Sequence, residues 1–283
     1  GASAAAYIYC IFMHMPHKYA RSLVVKYGGG AMPGGGAGPD PILLEIAALR
    51  EAGSAVVLVH GGGPEIDAAL ARAGIESARV DGMRVTDSAT LEVTEAVLCG
   101  STNKRLVREA LALGLPAVGI SGQDGNTLIA ERARGSHGED LGYVGTIVAT
   151  NVQLIRTLLA GGFLPVVAPL AVARDGSHAY NVNADLAAAA LAAALNVEAF
   201  LAVTNVPRVL RDADDATSGI DRFTPEEALQ FAAGDACRSS MKPKLRAAAN
   251  AALRGVAAYI CAFKPNTIAA ALSGDATMVA LSP

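Results

Sequence analysis

The apolar run Ala55-Val56-Val57-Leu58-Val59 meets His60-Gly61-Gly62-Gly63-Pro64, and Glu65–Ala73 follows with helical spacing. A β-branched run of this length reads as a buried strand. The glycines directly behind it form a turn whose backbone amides face open space at the start of a helix. Unpaired N–H groups and the helix dipole both favour an anion there. A second unit lies upstream, where Val24-Val25-Lys26 runs into Gly28-Gly29-Gly30. An ammonium beside glycines suits a phosphate, because the glycines allow close backbone approach. Lys26 taken singly also fits a lysine snorkelling from a strand end. Neither turn continues into Gly-Lys-Ser/Thr, which excludes the P-loop pattern, and neither has the glycine spacing and downstream acid of a dinucleotide fingerprint.

Strands and helices alternate along the rest of the chain. The strands predicted are Leu23–Lys26, Ala55–His60, Ala117–Ile120, Leu164–Ala168, Ala199–Thr204 and Ala257–Cys261. The helices predicted are Pro41–Ala52, Glu65–Ala73, Ala89–Leu98, Asn103–Leu113, Asn151–Ala160, Ala184–Leu195, Pro225–Ala233 and Lys244–Arg254. Such alternation argues for an α/β fold with a mostly parallel sheet. Two hairpins interrupt it: Thr127–Arg132 with Tyr143–Ala149, and Ala171–Tyr180 around Asp175-Gly176. The Ala-rich helix is small-sided enough to lie flat on a sheet, and Gly34–Gly38 reads as a mobile loop.

At 283 residues the chain can bury a sizeable core. A net charge of −3 gives no reason to expect nucleic acid as a partner. The four cysteines, Cys10, Cys99, Cys237 and Cys261, show neither metal spacing nor a disulfide framework, so a reducing cytoplasm is the default location. Ala4–Met15 is apolar but shorter than the ~20 residues a membrane span needs, so no membrane association is expected. It also lacks a preceding basic residue, unlike a signal peptide. It reads as an amphipathic helix packing on the body or on a partner subunit, with a disordered extension as the alternative.

Three polar clusters carry chemistry. Arg84, in Gly82-Met83-Arg84-Val85-Thr86-Asp87, falls in a turn-like segment between a short strand (Ala78–Asp81) and a helix capped by Asp87 or Ser88. Its guanidinium is either a bidentate carboxylate clamp or a solvated surface charge. Asn181-Val182-Asn183-Ala184-Asp185 leads into the Ala-rich helix. Asn183 there suits a cap and Asp185 suits the dipole, or else Asn181 donates to a substrate and Asp185 orients a lysine. Met241-Lys242-Pro243-Lys244 offers that lysine. Lys244 stands just inside a helix N-terminus, where a cation is locally unfavourable, and residues placed against local preference mark functional sites.

Together these stretches resemble the amino-acid kinase superfamily and, within it, the N-acetylglutamate kinases. Lys26-Tyr27-Gly28-Gly29, His60-Gly61-Gly62-Gly63-Pro64, Gly82-Met83-Arg84-Val85-Thr86, Asn103-Lys104, Val118–Gly122, Leu164–Val167, Asn181–Asp185 and Met241–Lys244 occur in the family's order between Leu23 and Val279. The resemblance implies a three-layer α/β/α sandwich around a central mainly parallel sheet, the amino-acid kinase fold. It divides the chain into an N-terminal helical extension (1–20), a lobe for the amino-acid substrate and phosphoryl site (21–195) and a nucleotide-binding lobe (196–283). It implies phosphoryl transfer from ATP, with Mg²⁺, to the γ-carboxylate of N-acetyl-L-glutamate. Lys26 and Lys244 would neutralise the transferring phosphoryl group and Asp185 would position them. Gly62, Gly63, Arg84 and Asn181 would bind the amino-acid substrate. Lys26, Gly28, Gly29, Asn205 and Lys244 would hold the nucleotide, with no protein metal site. A carboxylate is already a nucleophile, so such a site needs positioning and charge cancellation rather than a general base. The family resemblance also implies a homo-oligomer, a dimer or a hexamer linked through N-terminal helices.

The chain departs from the family pattern at Thr204-Asn205-Val206-Pro207-Arg208, where the family has Thr-Asp-Val-Pro-Gly, and at Ser239-Ser240, where it has Gly-Gly. Cys261-Ala262-Phe263-Lys264 replaces Ile-Asp-Gly-Arg, and no acidic residue occurs between Asp235 and Asp275, which argues against arginine feedback. These changes leave two alternatives beside the main reading. One is a sister acyl-phosphate kinase acting on another acidic or carrier-linked amino acid such as aminoadipate. The other is a catalytically weakened regulatory homologue.

Overall fold

The computed structural model describes residues 21–28, 39–80, 82–212 and 214–281. The expected N-terminal helix, Gly29 and the Gly34–Gly38 loop lie outside the described residues. The strands in chain order are β1 (Ser22–Tyr27), β2 (Ala55–His60), β3 (Arg79–Val80), β4 (Met83–Arg84), β5 (Ala117–Ser121), β6 (Leu128–Arg134), β7 (Asp140–Thr150), β8 (Leu164–Ala168), β9 (Leu170–Ala173), β10 (Ala179–Asn181), β11 (Ala199–Thr204), β12 (Val209–Leu210), β13 (Gly219–Ile220), β14 (Arg222–Phe223), β15 (Ala257–Ala262) and β16 (Thr277–Val279). The helices are α1 (Pro41–Glu51), α2 (Gly63–Arg72), α3 (Ser88–Glu95), α4 (Asn103–Ala112), α5 (Gln153–Ala160), α6 (Ala184–Leu195), α7 (Pro225–Ala233), α8 (Lys242–Ala252) and α9 (Thr267–Leu272).

Eight strands form one sheet in the order β14-β16-β15-β11-β1-β2-β8-β5. Its central ladders, β11-β1-β2-β8-β5 and β11-β15, are parallel, and β16 runs antiparallel to β15. Helices cover both faces, as parallel sheets require. β1 lies between β2 and β11, so the earlier and later parts of the chain share one sheet. The expected hairpins both form, and together they close into a small barrel ordered β10-β7-β6-β9.

The two-residue period of β1 sets what each face receives. Leu23, Val25 and Tyr27 join the core under α1 and α4, with Ile42, Leu43, Ile46 and Leu106. Val24 joins the opposite core, with Phe200 and Ala202 of β11 and the alanines of α6 and α8. Lys26 shares that second face. Ala187, Ala188, Leu191 and Ala192 of α6 and Ala247, Ala248, Ala249 and Ala251 of α8 are fully or almost fully buried, so small side chains let both helices approach the sheet closely. Asn183 caps α6 by accepting from the Asp185 and Leu186 amides, at 2.8 and 3.2 Å.

Some boundaries differ from those predicted. α2 starts at Gly63 rather than Glu65, because Pro64 suits a first turn. The chain does not break after Leu98: Ala96–Thr102 continues as a π-helix into α4. Leu98 and Asn103, within and just after that stretch, both reach the end of β2, at Gly62 and His60. Arg84 lies within a strand, not a turn, with Gly82 (φ 77°) making the reversal between β3 and β4. No helix among the described residues is long and apolar enough to cross a membrane.

Glu45, on α1, is buried and caps α9 from 222 residues away. Its carboxylate accepts from the Thr267, Ile268 and Ala269 amides at 2.6, 2.8 and 3.4 Å. Burial pushes its pKa from 4.5 up to about 7, although the three amides pull the other way. The folded state therefore holds a proton that the unfolded chain releases between about pH 4.5 and 7, and this group's contribution to stability falls as pH rises through that window. Glu45→Gln should remove that slope, a difference on the order of 2–3 kcal/mol across the window. Chemical denaturation of parent and variant at pH 5 and pH 8 measures it, and parallel pH profiles would reject the assignment.

Candidate active site

The site gathers at the carboxyl ends of β1, β2 and β11, where open α/β sheets bind ligands. Lys26, at the end of β1, points to the α6–α8 face. Its Nζ stands 2.9 Å from Asp185 Oδ1, and both side chains are about 95% buried (5% exposed each). Lys244 Nζ, from the first turn of α8, stands 3.2 Å from Asp185 Oδ2. One carboxylate thus sits between two ammonium groups. Lys26 forms an ion pair with Oδ1, and Oδ2 accepts a hydrogen bond from Lys244. Burial opposes ionisation of Asp185, but Lys26 and Lys244 overcome it and hold the pKa below the usual carboxylate value. Burial lowers the Lys26 pKa, reinforced by Lys244 and opposed by Asp185. The cluster carries one net positive charge when all three groups are ionised, which suits a polyanion arriving from the open end.

Tyr27 and Gly28, at the end of β1, touch the glycine turn that follows β2. Gly61 N donates to Tyr27 O at 2.9 Å. A Cβ on Gly28 would come within 2.9 Å of Gly61 N, so the approach requires glycine. A Cβ on Gly62 would meet Leu98 Cδ2 at 2.7 Å, while one on Gly63 would meet open space. As the first residue of α2, Gly63 presents an N–H without an intrahelical acceptor.

Arg84 is buried, not a solvated charge. Its Nη2 pairs with Asp67 Oδ1 at 2.6 Å and its Nη1 donates to Ser77 Oγ at 2.7 Å. Nη2 also lies 3.4 Å from Gly63 O, which places the guanidinium at the glycine turn after β2. Thr86 connects Arg84 to Asn181: its hydroxyl donates to Arg84 O at 2.7 Å and accepts from Asn181 Nδ2 at 3.3 Å. Asn181 is held in β10, paired with both Leu170 and Val144.

The structure therefore brings Lys26, Asp185 and Lys244 into one cluster, Gly28 against the Gly61–Gly63 turn, and Arg84 and Asn181 into one network through Thr86. Asn205 stands just past β11 and accepts a hydrogen bond from Thr204 Oγ1 at 3.2 Å. Arg208 turns away from it into ion pairs with Asp221 and Asp275. Asp67, Ser77 and Thr86 escape sequence reasoning as parts of the site. The two-residue spacing of Thr86 from Arg84 would place both on one face of an extended segment, but the turn-like reading of Arg84 hides it.

His60, the last residue of β2, is fully buried on the opposite face from Lys26. Burial pushes its pKa down to about 4, so it is neutral at pH 7. Its Nδ1 lies 2.8 Å from Gly61 O and its Nε2 3.1 Å from Asn103 Nδ2.

A mainly parallel α/β sheet thus carries, at the ends of its central strands, two lysines on one buried carboxylate and a buried arginine beside a helix N-terminus. The chain belongs to the amino acid kinase family, whose profile matches residues 21–262. It is 43% identical to the acetylglutamate kinase of Rubrobacter xylanophilus over 90% of this chain and 94% of that one. It is 42% identical to the acetylglutamate kinase of Brevibacillus brevis over 83% of this chain and 86% of that one. The crystal structure of smu.665 from Streptococcus mutans UA159 matches with a TM-score of 0.75 over 92% of this chain and 99% of that chain, at 22% identity, a likeness of fold.

Asp185→Asn leaves the Lys26 and Lys244 ammonium groups without their counter-charge. Removing one partner from a buried ion pair costs about 3–5 kcal/mol. The variant should melt well below the parent at pH 7 and recover more of that loss with added inorganic triphosphate than the parent gains. Thermal unfolding with and without triphosphate measures both effects, and an unchanged melting temperature would contradict the electrostatic role.

Proposed function

We propose that this chain transfers the γ-phosphoryl group of ATP to the γ-carboxylate of N-acetyl-L-glutamate, the second step of arginine or ornithine synthesis. A carboxylate oxygen forms a bond to phosphorus while the bond to the β-phosphate bridging oxygen breaks. The products are an acyl phosphate and ADP. The observation that carries this reading is the pair of lysines held on Asp185 beside the glycine turns, in a chain more than 40% identical to acetylglutamate kinases over most of its length. Charge spreads over the phosphoryl oxygens in transit, and fixed cations stabilise it without reorganising. Lys26 and Lys244 supply those cations, and Asp185 fixes their spacing.

Gly62 and Gly63 amides would hold oxygens of the anion, and Arg84, kept in place by Asp67 and Ser77, would clamp the α-carboxylate. Asn181 would position the amino-acid part. The nucleotide would lie over the β11 end, held by Asn205, Gly28 and Gly29. Mg²⁺ would arrive on the nucleotide phosphates and add positive charge there. Asp185, committed to two ammonium groups, is not free to ligate it, and among the described residues no cluster of three or more His, Cys, Asp or Glu could hold a metal.

Hydroxylamine trapping with ATP tests the reading by comparing N-acetylglutamate with glutamate, aspartate and aminoadipate. Hydroxamate is expected with N-acetylglutamate, and its absence with that acid would refute the assignment. Lys244→Ala should lower kcat by roughly 10²–10³-fold, the effect of losing one group that stabilises transition-state charge. Arg84→Ala should act mainly on KM for the amino acid.

A further inference from the structure

The proposed chemistry leaves His60 without a part in it, although it is fully buried beside the anion turn. The protonation of its ring follows from its neighbours. Asn103 Nδ2 faces Val166 O at 2.9 Å and Ile120 O at 3.4 Å, while Asn103 Oδ1 accepts from Lys104 Nζ at 3.1 Å. Two carbonyls require a donor and an ammonium requires an acceptor, so the amide nitrogen is the atom that faces His60. The amide nitrogen has two hydrogens for three acceptors: Val166 O at 2.9 Å takes one, and His60 Nε2 at 3.1 Å takes the other ahead of Ile120 O at 3.4 Å. Nε2 is then an acceptor, and because Gly61 O can only accept, the single proton of the neutral ring sits on Nδ1.

That bond has a geometric consequence. The C=O of Gly61 and the N–H of Gly62 belong to one planar trans peptide and point in opposite directions. Holding the carbonyl toward the imidazole aims the Gly62 N–H away from it. The next peptide is fixed in the same manner, because Gly62 O accepts from Ile66 N at 2.9 Å. The Gly63 N–H therefore points out of the helix end.

We propose that His60 is a positioning residue: kept as the Nδ1–H tautomer by Asn103, it orients the Gly62 amide toward the anion that the turn binds. The imidazole touches no substrate and moves no proton. This role deepens the kinase reading and rests on it for its effect on rate.

Two substitutions separate the ring's two bonds. Asn places an amide nitrogen near the position of Nδ1, and Gln places its amide near that of Nε2. His60→Asn should keep kcat within several-fold of the parent. His60→Gln should lose roughly 10²-fold, comparable to misplacing one preorganised donor, with thermal midpoints of both variants measured alongside. Equal losses of kcat in the two variants would overturn the proposal, since a merely structural residue predicts no such preference.

A second readout uses the unaltered chain. In ¹⁵N-histidine-labelled protein at pH 7, the His60 resonance, assigned by its absence from either variant, should show a protonated Nδ1 and a bare Nε2. An Nε2–H tautomer or an imidazolium would overturn the proposal. Parent protein that forms no hydroxamate from N-acetylglutamate would refute the kinase reading instead, and the tautomer measurement would still judge the orientation of the turn.

Discussion

Everything at the mouth of this fold is arranged around one buried carboxylate. Asp185 holds two ammonium groups that would otherwise repel each other in a poorly solvated place. Lys26 comes from the first strand and Lys244 from a helix near the other end of the chain, so the ion pairs join segments far apart in sequence. The alanine faces of α6 and α8 make this possible. Bulkier side chains would lift both helices off the sheet and pull their first turns away from Lys26. Tight apolar packing and the placement of charge are thus one constraint seen from two sides.

The anion turn shows a second division of labour. Its amides can serve a ligand only if their carbonyls are occupied elsewhere. Tyr27 O takes the Gly61 amide, His60 takes the Gly61 carbonyl and the first bond of α2 takes the Gly62 carbonyl. The polar groups that do not face a ligand decide the direction of those that do. Arg84 follows the same logic, with Asp67 and Ser77 fixing its guanidinium from behind.

Much of this was legible along the chain. The runs at 55–60, 164–168 and 199–204 are β-branched or aliphatic and closed by turn chemistry, and the strands β2, β8 and β11 have those bounds. Asn183 marks the start of α6, and the misfit of Lys244 in a first helical turn agrees with the pairing to Asp185 that the sequence suggests and the structure contains. Other features depend on contacts that no local pattern encodes. Glu45 looks like any carboxylate on an amphipathic helix, yet its partners are amides of α9. The π-helix at Ala96–Thr102 has no marker in the local sequence pattern. The strands β12, β13, β14 and β16 are two or three residues long, too short to express a period. Arg84 left two readings open, because burial is decided by β3, β4 and the small barrel together.

The position of Lys26 also bears on how the chain finds its register. Alternation along β1 sends Leu23, Val25 and Tyr27 to one core and Val24 and Lys26 to the other. A slip by one residue would press the ammonium into the aliphatic layer under α1 and leave Asp185 facing an apolar side chain. Such a state buries the Lys26 ammonium without its counter-charge, so the misaligned sheet is strongly disfavoured. The lysine therefore acts as a key in a lock for the central strand. Gain or loss of a single residue within β1 is barred far more strictly than changes of length in the surface loops around it.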